Sequence, residues 1–249
     1  MKRLLAALLF CVSGAAVADV LTVAVAANVQ YAFSAIAEAF QKESNHRIRP
    51  IYNSSGKLTA QITHGAPFDV FLSADMEYPQ ALHRSGHAPQ APRVYASGAL
   101  VLWTMHPALD LQDWRNALVS SQVRRIAIAN PKLAPYGREA MKAFAHFGLA
   151  DAITPKLVYG ESVSQVNQYT HSRAVDAGIT AKSVVMAPEM QGQGRWVELP
   201  QDSYVPIEQG IVVLAYGRRN NPVAAQQFHD FVLSPAGRAI LSRYGYLLP

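Results

Sequence analysis

The 249-residue sequence has little cysteine, little charge and, beyond its N-terminus, no long apolar run. Cys11 is its single cysteine, which excludes a disulfide framework and a zinc site built from thiolates. Charged residues make up 16% of the chain and hydrophobic residues 50%, a balance typical of a globular protein rather than a disordered one. Because no later segment is long and apolar enough to span a bilayer, we expect no direct membrane insertion.

Residues 1–18 have the features of a secretory signal peptide. Lys2 and Arg3 precede an apolar run, and the A-V-A motif at 16–18 is a signal for cleavage before Asp19. The apolar stretch is about 15 residues long, and a membrane anchor would need about 20. We therefore expect a soluble product, exported to the periplasm.

The charge of the mature chain does not point to nucleic acid. Loss of Lys2 and Arg3 lowers the formal net charge from +5 to +3, and the remaining basic residues are spread along the sequence. Nucleic-acid binding is typical of chains with a concentrated basic surface. We expect no nucleic-acid partner.

Strand-like and helix-like patterns alternate from the start of the mature chain. A β-branched strand at 21–25 precedes a helical pattern that ends near Lys42, and strands follow at 48–52 and 68–72. A second set comprises strands at 126–129, 156–159 and 176–179 and helices at 138–147 and 163–170. This order predicts an α/β fold in which helices flank mostly parallel sheets.

The chain carries no flexible linker between the two sets, so strands would have to join them. The extended runs at 93–103 and 207–215 suit that role. We predict two lobes hinged by crossing strands, with 19–99 plus 207–249 as lobe I and 100–206 as lobe II. A ligand cleft would lie between the lobes. A single larger sheet remains open as an alternative.

Four strand-to-helix junctions carry small or polar residues. They are the segments 26–28 (Ala-Ala-Asn), 53–56 (Asn-Ser-Ser-Gly), 134–137 (Ala-Pro-Tyr-Gly) and 160–163 (Gly-Glu-Ser-Val). Each alone could simply cap its helix. Together they offer hydroxyl, amide and backbone N–H donors at helix N-termini, where anions bind. An ionised oxyanion leaving water needs several such bonds, so the pattern favours an oxyanion site.

Specific motifs give the chain a family resemblance. They are VAVAANV at 23–29, NSSGKL at 53–58, GAPFDVFLSAD at 65–75, ANPKLAPYG at 129–137, ESV at 161–163, DAGI at 176–179 and RYGY at 243–246. With these motifs the mature chain resembles the periplasmic molybdate-binding proteins of ABC transporters. The resemblance implies a two-lobed, hinged type II periplasmic-binding-protein fold and a monomer that delivers its ligand to a membrane permease. It implies no enzymatic activity and no cofactor, with molybdenum present only as the bound oxyanion.

The resemblance also implies particular ligand residues. They are Asn28 with Ala27 beside it in the first loop, Ser55 with Ser54 in the second, Tyr136 in the third and the Val163 backbone in the fourth. Many relatives have a ligand tyrosine just after the DAGI-like strand, where this chain has Ala181. Our hypothesis is that the Tyr136 hydroxyl takes its place.

The predicted donors also suggest which anions would bind. Molybdate and tungstate carry no proton near neutral pH, whereas phosphate carries one that would stay unpaired among donors. Molybdate and tungstate are too alike to separate, and discrimination against sulfate would rest on cavity size. Glu161 would repel an anion from inside the cavity, so we expect it to face solvent or pair with a cation.

Two other functions fit parts of the sequence. The same fold could bind sulfate, ferric iron or an organic anion. Alternatively, Gly160–Ser164 approaches the G-x-S-x-G motif of serine hydrolases, with Ser162 as the nucleophile, but it lacks the final glycine. His83 and His87 have zinc-ligand spacing, although Gly86 between them favours the end of a surface helix.

Two further segments are expected to serve structure rather than binding. Residues 192–195 predict a turn, because no helical pattern follows their two glycines. Tyr244 and Tyr246 lie among apolar residues and are expected to pack in the core.

Overall fold

The computed structural model describes residues 20–249, so the signal peptide predicted for residues 1–18 lies outside the described part. The described chain forms two five-stranded sheets. The strands are β1 (Val20–Ala26), β2 (Arg47–Asn53), β3 (Val70–Leu72), β4 (Arg93–Gly98), β5 (Leu100–Thr104), β6 (Ile126–Ala129), β7 (Leu157–Gly160), β8 (Ala177–Ala181), β9 (Arg195–Glu198) and β10 (Ile207–Val213).

Helices cover both sheets. They are α1 (Gln30–Glu43), α2 (Ser55–Thr63), α3 (Glu77–Arg84), α4 (Trp114–Val119), α5 (Pro135–His146), α6 (Ala150–Ile153), α7 (Val163–His171), α8 (Lys182–Val185), α9 (Ala215–Asn220), α10 (Pro222–Leu233) and α11 (Pro235–Arg243). A short 3-10 turn at Ala27–Val29 joins β1 to α1. None of the helices formed by residues 20–249 combines the length and the hydrophobicity that crossing a membrane requires.

The two sheets share one pattern of strand directions. The first has the order β2-β1-β3-β10-β4 and the second the order β7-β6-β8-β5-β9. In each, three neighbouring strands run parallel, the next strand (β10 or β5) runs antiparallel to them, and the edge strand (β4 or β9) pairs antiparallel with that strand. The predicted two-lobed α/β fold is therefore confirmed, but the sheets are mixed rather than mostly parallel. The antiparallel strands are those nearest in sequence to the passages between the sheets.

The chain passes twice between the sheets. At the first passage β4 ends at Gly98 and β5 begins at Leu100, so a nearly continuous extended run crosses over. At the second, residues 199–206 lead from β9 to β10, and the run expected at 207–215 lies mostly within the first sheet. We call the part around the first sheet lobe I and the part around the second lobe II.

Lobe I is held together by an aromatic cluster between helices. Phe33 and Phe40 lie on the apolar face of α1, and Phe228 from α10 contacts both rings, with centroids 5.8 and 5.2 Å away. All three side chains are buried. The 3.6-residue spacing of apolar residues in α1 places this face against the sheet, so this packing orients the start of the helix.

One strand differs from the sequence prediction. A turn was predicted for residues 192–195, but its last residue, Arg195, is the first residue of strand β9. This strand pairs antiparallel with β5. Gly192 and Gly194 do adopt positive φ angles of 73° and 75°, as a turn requires. The strand gives a weak sequence signal because it has four residues and lies at a sheet edge, with Trp196 37% exposed.

The Phe228→Ala substitution should destabilise the protein strongly. It removes a ring that contacts Phe33 and Phe40, and truncating a buried Phe lowers the free energy of unfolding by about 3–5 kcal/mol. Val223→Ala in the same helix is the control, because Val223 is 64% exposed. Urea denaturation would test this, and equal midpoints for both variants would contradict the assigned packing.

Candidate functional site

A small cavity lies between the lobes where helix N-termini meet. Its lining residues are Ala26, Ala27, Asn28, Ser54, Ser55 and Ala74 from lobe I and Ala134, Pro135, Tyr136 and Val163 from lobe II. The structure thus brings together every residue that the sequence suggested as a ligand contact. The cavity volume is about 10 Å³. Sites for drug-sized ligands usually measure about 300–1,000 Å³, so this cavity excludes a ligand of that size.

The cavity is built from the starts of four helical segments, α2, α5, α7 and the 3-10 turn before α1. The parallel strands β1 and β6 lead into this region, so their carboxyl ends and the following helices point to one place. The first N–H groups of a helix have no partner within it and carry roughly half a positive charge together. In α5 the first residue, Pro135, has no N–H, which leaves Tyr136 as the first donor.

Side chains at these junctions do not cap their helices. Ser54 precedes α2 and Ser162 precedes α7, yet neither accepts a capping hydrogen bond from its helix. The segments before α1 and α5 are also without side-chain caps. The simpler interpretation of the polar junctions, that they only cap helices, is therefore wrong. Side-chain caps therefore do not occupy the first backbone N–H groups of these helices.

The hydroxyl groups of the cavity are arranged as hydrogen donors. Ser55 Oγ accepts a hydrogen bond from the Ala74 N–H at 2.9 Å, so its own hydrogen is free for a ligand. Tyr136 Oη likewise accepts from Gln209 Nε2 at 3.0 Å. Ser54 Oγ is buried and has no partner within the described residues. All three groups could donate to an anion in the cavity.

The Tyr136 hydroxyl keeps its hydrogen at any physiological pH. Its side chain is buried, and this burial, assisted by neighbouring phenols such as that of Tyr246, raises the pKa of Tyr136 well above its usual value. Burial also raises the pKa of Tyr246 to about 12. Both phenols are therefore neutral and bear a hydrogen.

Asn28 is bonded differently from our expectation. Its side-chain nitrogen donates to Gln209 Oε1 at 2.9 Å and to Tyr246 Oη at 3.2 Å, while its Oδ1 has no partner among the described residues. Its amide hydrogens are thus used within the protein. Asn28 would meet an anion through its backbone N–H, and its side chain ties the first loop to the network beneath the cavity.

Two members of that network escaped the sequence analysis. Gln209 is fully buried in β10, where it is the polar side chain among the buried, otherwise apolar positions of the strand. That departure from the apolar pattern was the available signal. Tyr246 was expected only to pack; it does, but its hydroxyl also donates to the Asn28 carbonyl at 3.2 Å. Tyr244 is buried in the core of lobe I, as expected.

No charged side chain lines the cavity among the described residues, but two ion pairs cross its rim. Lys57 of lobe I contacts Glu161 of lobe II at 2.7 Å, so Glu161 pairs with a cation as expected. Arg138 of lobe II contacts Asp75 of lobe I at 2.6 Å. Burial raises the pKa of the Asp75 carboxyl, and the guanidinium of Arg138 counteracts this shift.

The backbones of the lobes also touch, so the structure is in a closed arrangement. The Gly56 N–H donates to the Leu133 carbonyl across the cleft at 2.9 Å. A Cβ on Gly56 would lie 2.9 Å from that carbonyl oxygen, too close for any side chain. Ser183 Oγ donates to the Asn28 carbonyl at 2.9 Å, again from lobe II to lobe I. The cavity is closed by these contacts.

The residues of the other hypotheses have structural roles. Ser162 takes the position before the first residue of α7. His83 Nδ1 contacts the Ala88 carbonyl at 2.8 Å, and His87 Nδ1 contacts Ser85 Oγ at 3.0 Å, so the two rings engage different partners. Residues 20–249 contain no cluster of three or more His, Cys, Asp or Glu side chains able to hold a metal ion.

This fold, with a small cavity between two hinged lobes, defines a solute-binding protein. Residues 21–247 match the family described as bacterial extracellular solute-binding protein, and the chain belongs to that family. The resemblance drawn from the sequence motifs is confirmed by its relatives. The molybdate-binding protein ModA of Rhodobacter capsulatus is 37% identical over 225 residues, which cover 90% of this chain and 86% of the relative.

Two further comparisons agree. The molybdate-binding protein ModA of Azotobacter vinelandii is 37% identical over 243 residues, covering 97% of this chain and 94% of the relative. The solved structure of the Azotobacter vinelandii periplasmic molybdate-binding protein superimposes with a TM-score of 0.86 at 35% identity. That match covers 92% of this chain and 99% of the other.

Arg138→Met should weaken ligand binding without destabilising the fold. It leaves the buried Asp75 carboxylate without its cation in the closed form, whereas separation of the lobes would return this carboxylate to water. Removing one partner of a partly buried pair should therefore disfavour closure and lower the affinity for molybdate about tenfold or more. Calorimetric titration would measure this loss.

The exposed Arg219, changed to Met, is the matched control. The free energy of unfolding without ligand should stay within about 1 kcal/mol of the unchanged protein for both variants, as for surface charges. Equal molybdate affinities for Arg138→Met and Arg219→Met would show that the Arg138–Asp75 pair does not contribute to closure.

Proposed function

We propose that this protein captures molybdate in the cavity between its lobes and delivers it to the permease of an ABC importer. The observation that carries this proposal is a closed cavity lined by neutral donors at four helix N-termini, with no charged side chain of residues 20–249 in its wall. The ligand contacts would be Asn28, Ser54, Ser55, Tyr136 and the Val163 backbone, with Ala27 beside them. Relatives named for molybdate binding support the choice of anion.

A dianion suits this wall because its hydroxyl and backbone N–H groups can donate, although Asn28 Oδ1 is an acceptor without a partner among the described residues. An anion that loses its water shell must regain hydrogen bonds, each worth about 1.5–3 kcal/mol when charge-assisted. The hydroxyls of Ser54, Ser55 and Tyr136 and the free N–H groups of the helices provide them, and the helix dipoles add favourable potential. Neutral donors bind the charge without requiring a buried counter-cation.

The same wall selects among oxyanions. Molybdate and tungstate bear no proton near neutral pH, so both fit a set of donors. Hydrogen phosphate would place an O–H next to hydroxyls whose oxygens already accept from Ala74 and Gln209, and an unpaired buried O–H is strongly disfavoured. Sulfate is smaller and would reach fewer donors at once. We therefore propose molybdate and tungstate as ligands, with sulfate and phosphate excluded.

The family suggests where this protein works and what it works with. We propose that the signal peptide at residues 1–18 directs the chain to the periplasm, where it works as a monomer without a cofactor. Binding and release would be its whole activity, and Ser162, the serine of the hydrolase hypothesis, lies at the start of α7. The permease would recognise the closed pair of lobes.

Thermal unfolding with a panel of oxyanions should show this selectivity. A ligand that binds only the folded protein stabilises it by RT ln(1+[L]/Kd), about 2.7 kcal/mol at a hundredfold excess over Kd. We expect a large rise in Tm with molybdate or tungstate and little with sulfate or phosphate at equal concentration and ionic strength. A larger shift with sulfate than with molybdate would refute the proposed ligand.

The Tyr136→Phe substitution should lower molybdate affinity. The change removes one hydroxyl donor and leaves the ring, so the loss should match one charge-assisted hydrogen bond, about 10- to 100-fold in Kd. Tyr159→Phe is the matched control, because Tyr159 is 49% exposed and lies outside the cavity. Unchanged affinity in calorimetric titration of Tyr136→Phe would remove this hydroxyl from the site.

A further inference from the structure

Gln209 lies beneath the cavity and connects three side chains that surround it. It belongs to β10 of lobe I and is fully buried. Its Oε1 lies 2.6 Å from Tyr95 Oη and 2.9 Å from Asn28 Nδ2, and its Nε2 lies 3.0 Å from Tyr136 Oη. The three partners are buried as well, so the whole arrangement is shielded from solvent.

The partners of Gln209 determine which way its amide faces. Two hydrogens, one from Tyr95 and one from Asn28, point at Oε1, so the oxygen must stay on that side. The nitrogen then faces Tyr136 and can only donate. The Tyr136 oxygen accepts this bond, so its single hydrogen is free to turn into the cavity. The direction of the Tyr136 hydroxyl is thus set by an amide that never touches the ligand.

We propose that Gln209 is a positioning residue that holds the Tyr136 hydroxyl as a hydrogen donor to the bound oxyanion. By denying the ligand an acceptor at this point, Gln209 also makes the site reject oxyanions that carry a proton, such as hydrogen phosphate. The inference rests on the proposed function and assigns selectivity to a residue outside the ligand's reach.

The surrounding space is shaped for this bond. A Cβ on Gly98, the last residue of β4, would overlap the Tyr136 hydroxyl and lie 2.6 Å from Gln209 Nε2. Gly98 stands at the passage between the lobes, so the absence of a side chain there lets Tyr136 of lobe II reach Gln209 of lobe I. The bond that directs the donor is therefore made when the lobes meet.

The Gln209→Glu substitution tests the direction of the hydrogen bond between residue 209 and Tyr136. It changes the shape of the side chain very little. The introduced carboxyl can still accept from Tyr95 and Asn28, but it faces Tyr136 with a donor only while it is protonated. Burial raises the pKa of carboxyl groups, to about 8–9 in strong cases, so the introduced group should titrate in an accessible range. Molybdate affinity of Gln209→Glu should fall at least tenfold between about pH 6 and 8.5, whereas that of the unchanged protein stays flat.

Other groups around this position do not mimic that result. Burial raises the pKa values of Tyr95, Tyr136 and Tyr246, so these phenols stay neutral over this range. A neighbouring carboxylate is that of Asp75, whose backbone carbonyl accepts from the Gly210 N–H at 3.2 Å. Asp75 is paired with Arg138 and is present in both the unchanged protein and Gln209→Glu. Any effect of its titration on affinity is therefore common to the two pH profiles.

Gln209→Met separates the directing role from charge and from general packing. It removes the donor without adding a carboxylate, so molybdate affinity should drop about tenfold, independently of pH. In the Tyr136→Phe background the same change should have little further effect, because there is no hydroxyl left to direct. Phosphate affinity relative to molybdate should rise in Gln209→Met, since the freed hydroxyl can turn to accept a proton.

Each outcome decides between specific alternatives. A carboxylate near a bound dianion also repels it, so the fall with pH in Gln209→Glu supports the proposal only together with the loss in Gln209→Met. Unchanged molybdate affinity in Gln209→Met would overturn the proposal. Equal effects of Gln209→Met with and without the Tyr136 hydroxyl would show a merely structural role. Absence of molybdate binding by the unchanged protein would instead refute the proposed function itself.

Discussion

The interaction on which the structure depends is the transfer of a small dianion from water into a closed cavity. Water surrounds such an ion with donors, and a protein wall must replace them or the transfer is strongly unfavourable. Backbone N–H groups at helix starts are the most direct replacement, because they have no partner in their own helix. Bringing four helix starts to one point takes two sheets whose parallel strands end there, and this requirement explains the two-lobed design.

Donors alone are not sufficient, because a hydroxyl can accept as easily as it donates. In this cavity the ambiguity is removed by the protein behind the wall. The Ala74 N–H occupies the oxygen of Ser55, and the Gln209 amide occupies the oxygen of Tyr136. On the proposed function, each hydroxyl hydrogen would then be directed to the ligand. The layer of residues behind the wall would therefore contribute to selectivity as well as the wall itself.

The sequence predicted the wall better than the layer behind it. The alternating pattern of strands and helices places Asn28, Ser55, Tyr136 and Val163 at helix starts. In α/β sheets the helices that follow parallel strands begin at the same edge, where ligands bind. The contacts of Gln209 depend instead on β10 lying antiparallel between β3 and β4, which sets Gln209 opposite Ala96. No local pattern encodes that register, and a lone glutamine in an apolar strand does not reveal its partners.

The contacts between the lobes explain how such a site can release what it binds. Lys57 and Glu161 form an exposed ion pair, which contributes about 0–1 kcal/mol, and the Arg138–Asp75 pair gains attraction but loses hydration of a buried carboxyl. Neither pair is a strong reason for closure without ligand. On the proposed function, an anion bonded to helices of both lobes would supply the difference. A weak intrinsic preference is needed, because a permease can reopen a closed carrier only if closure depends on the ligand.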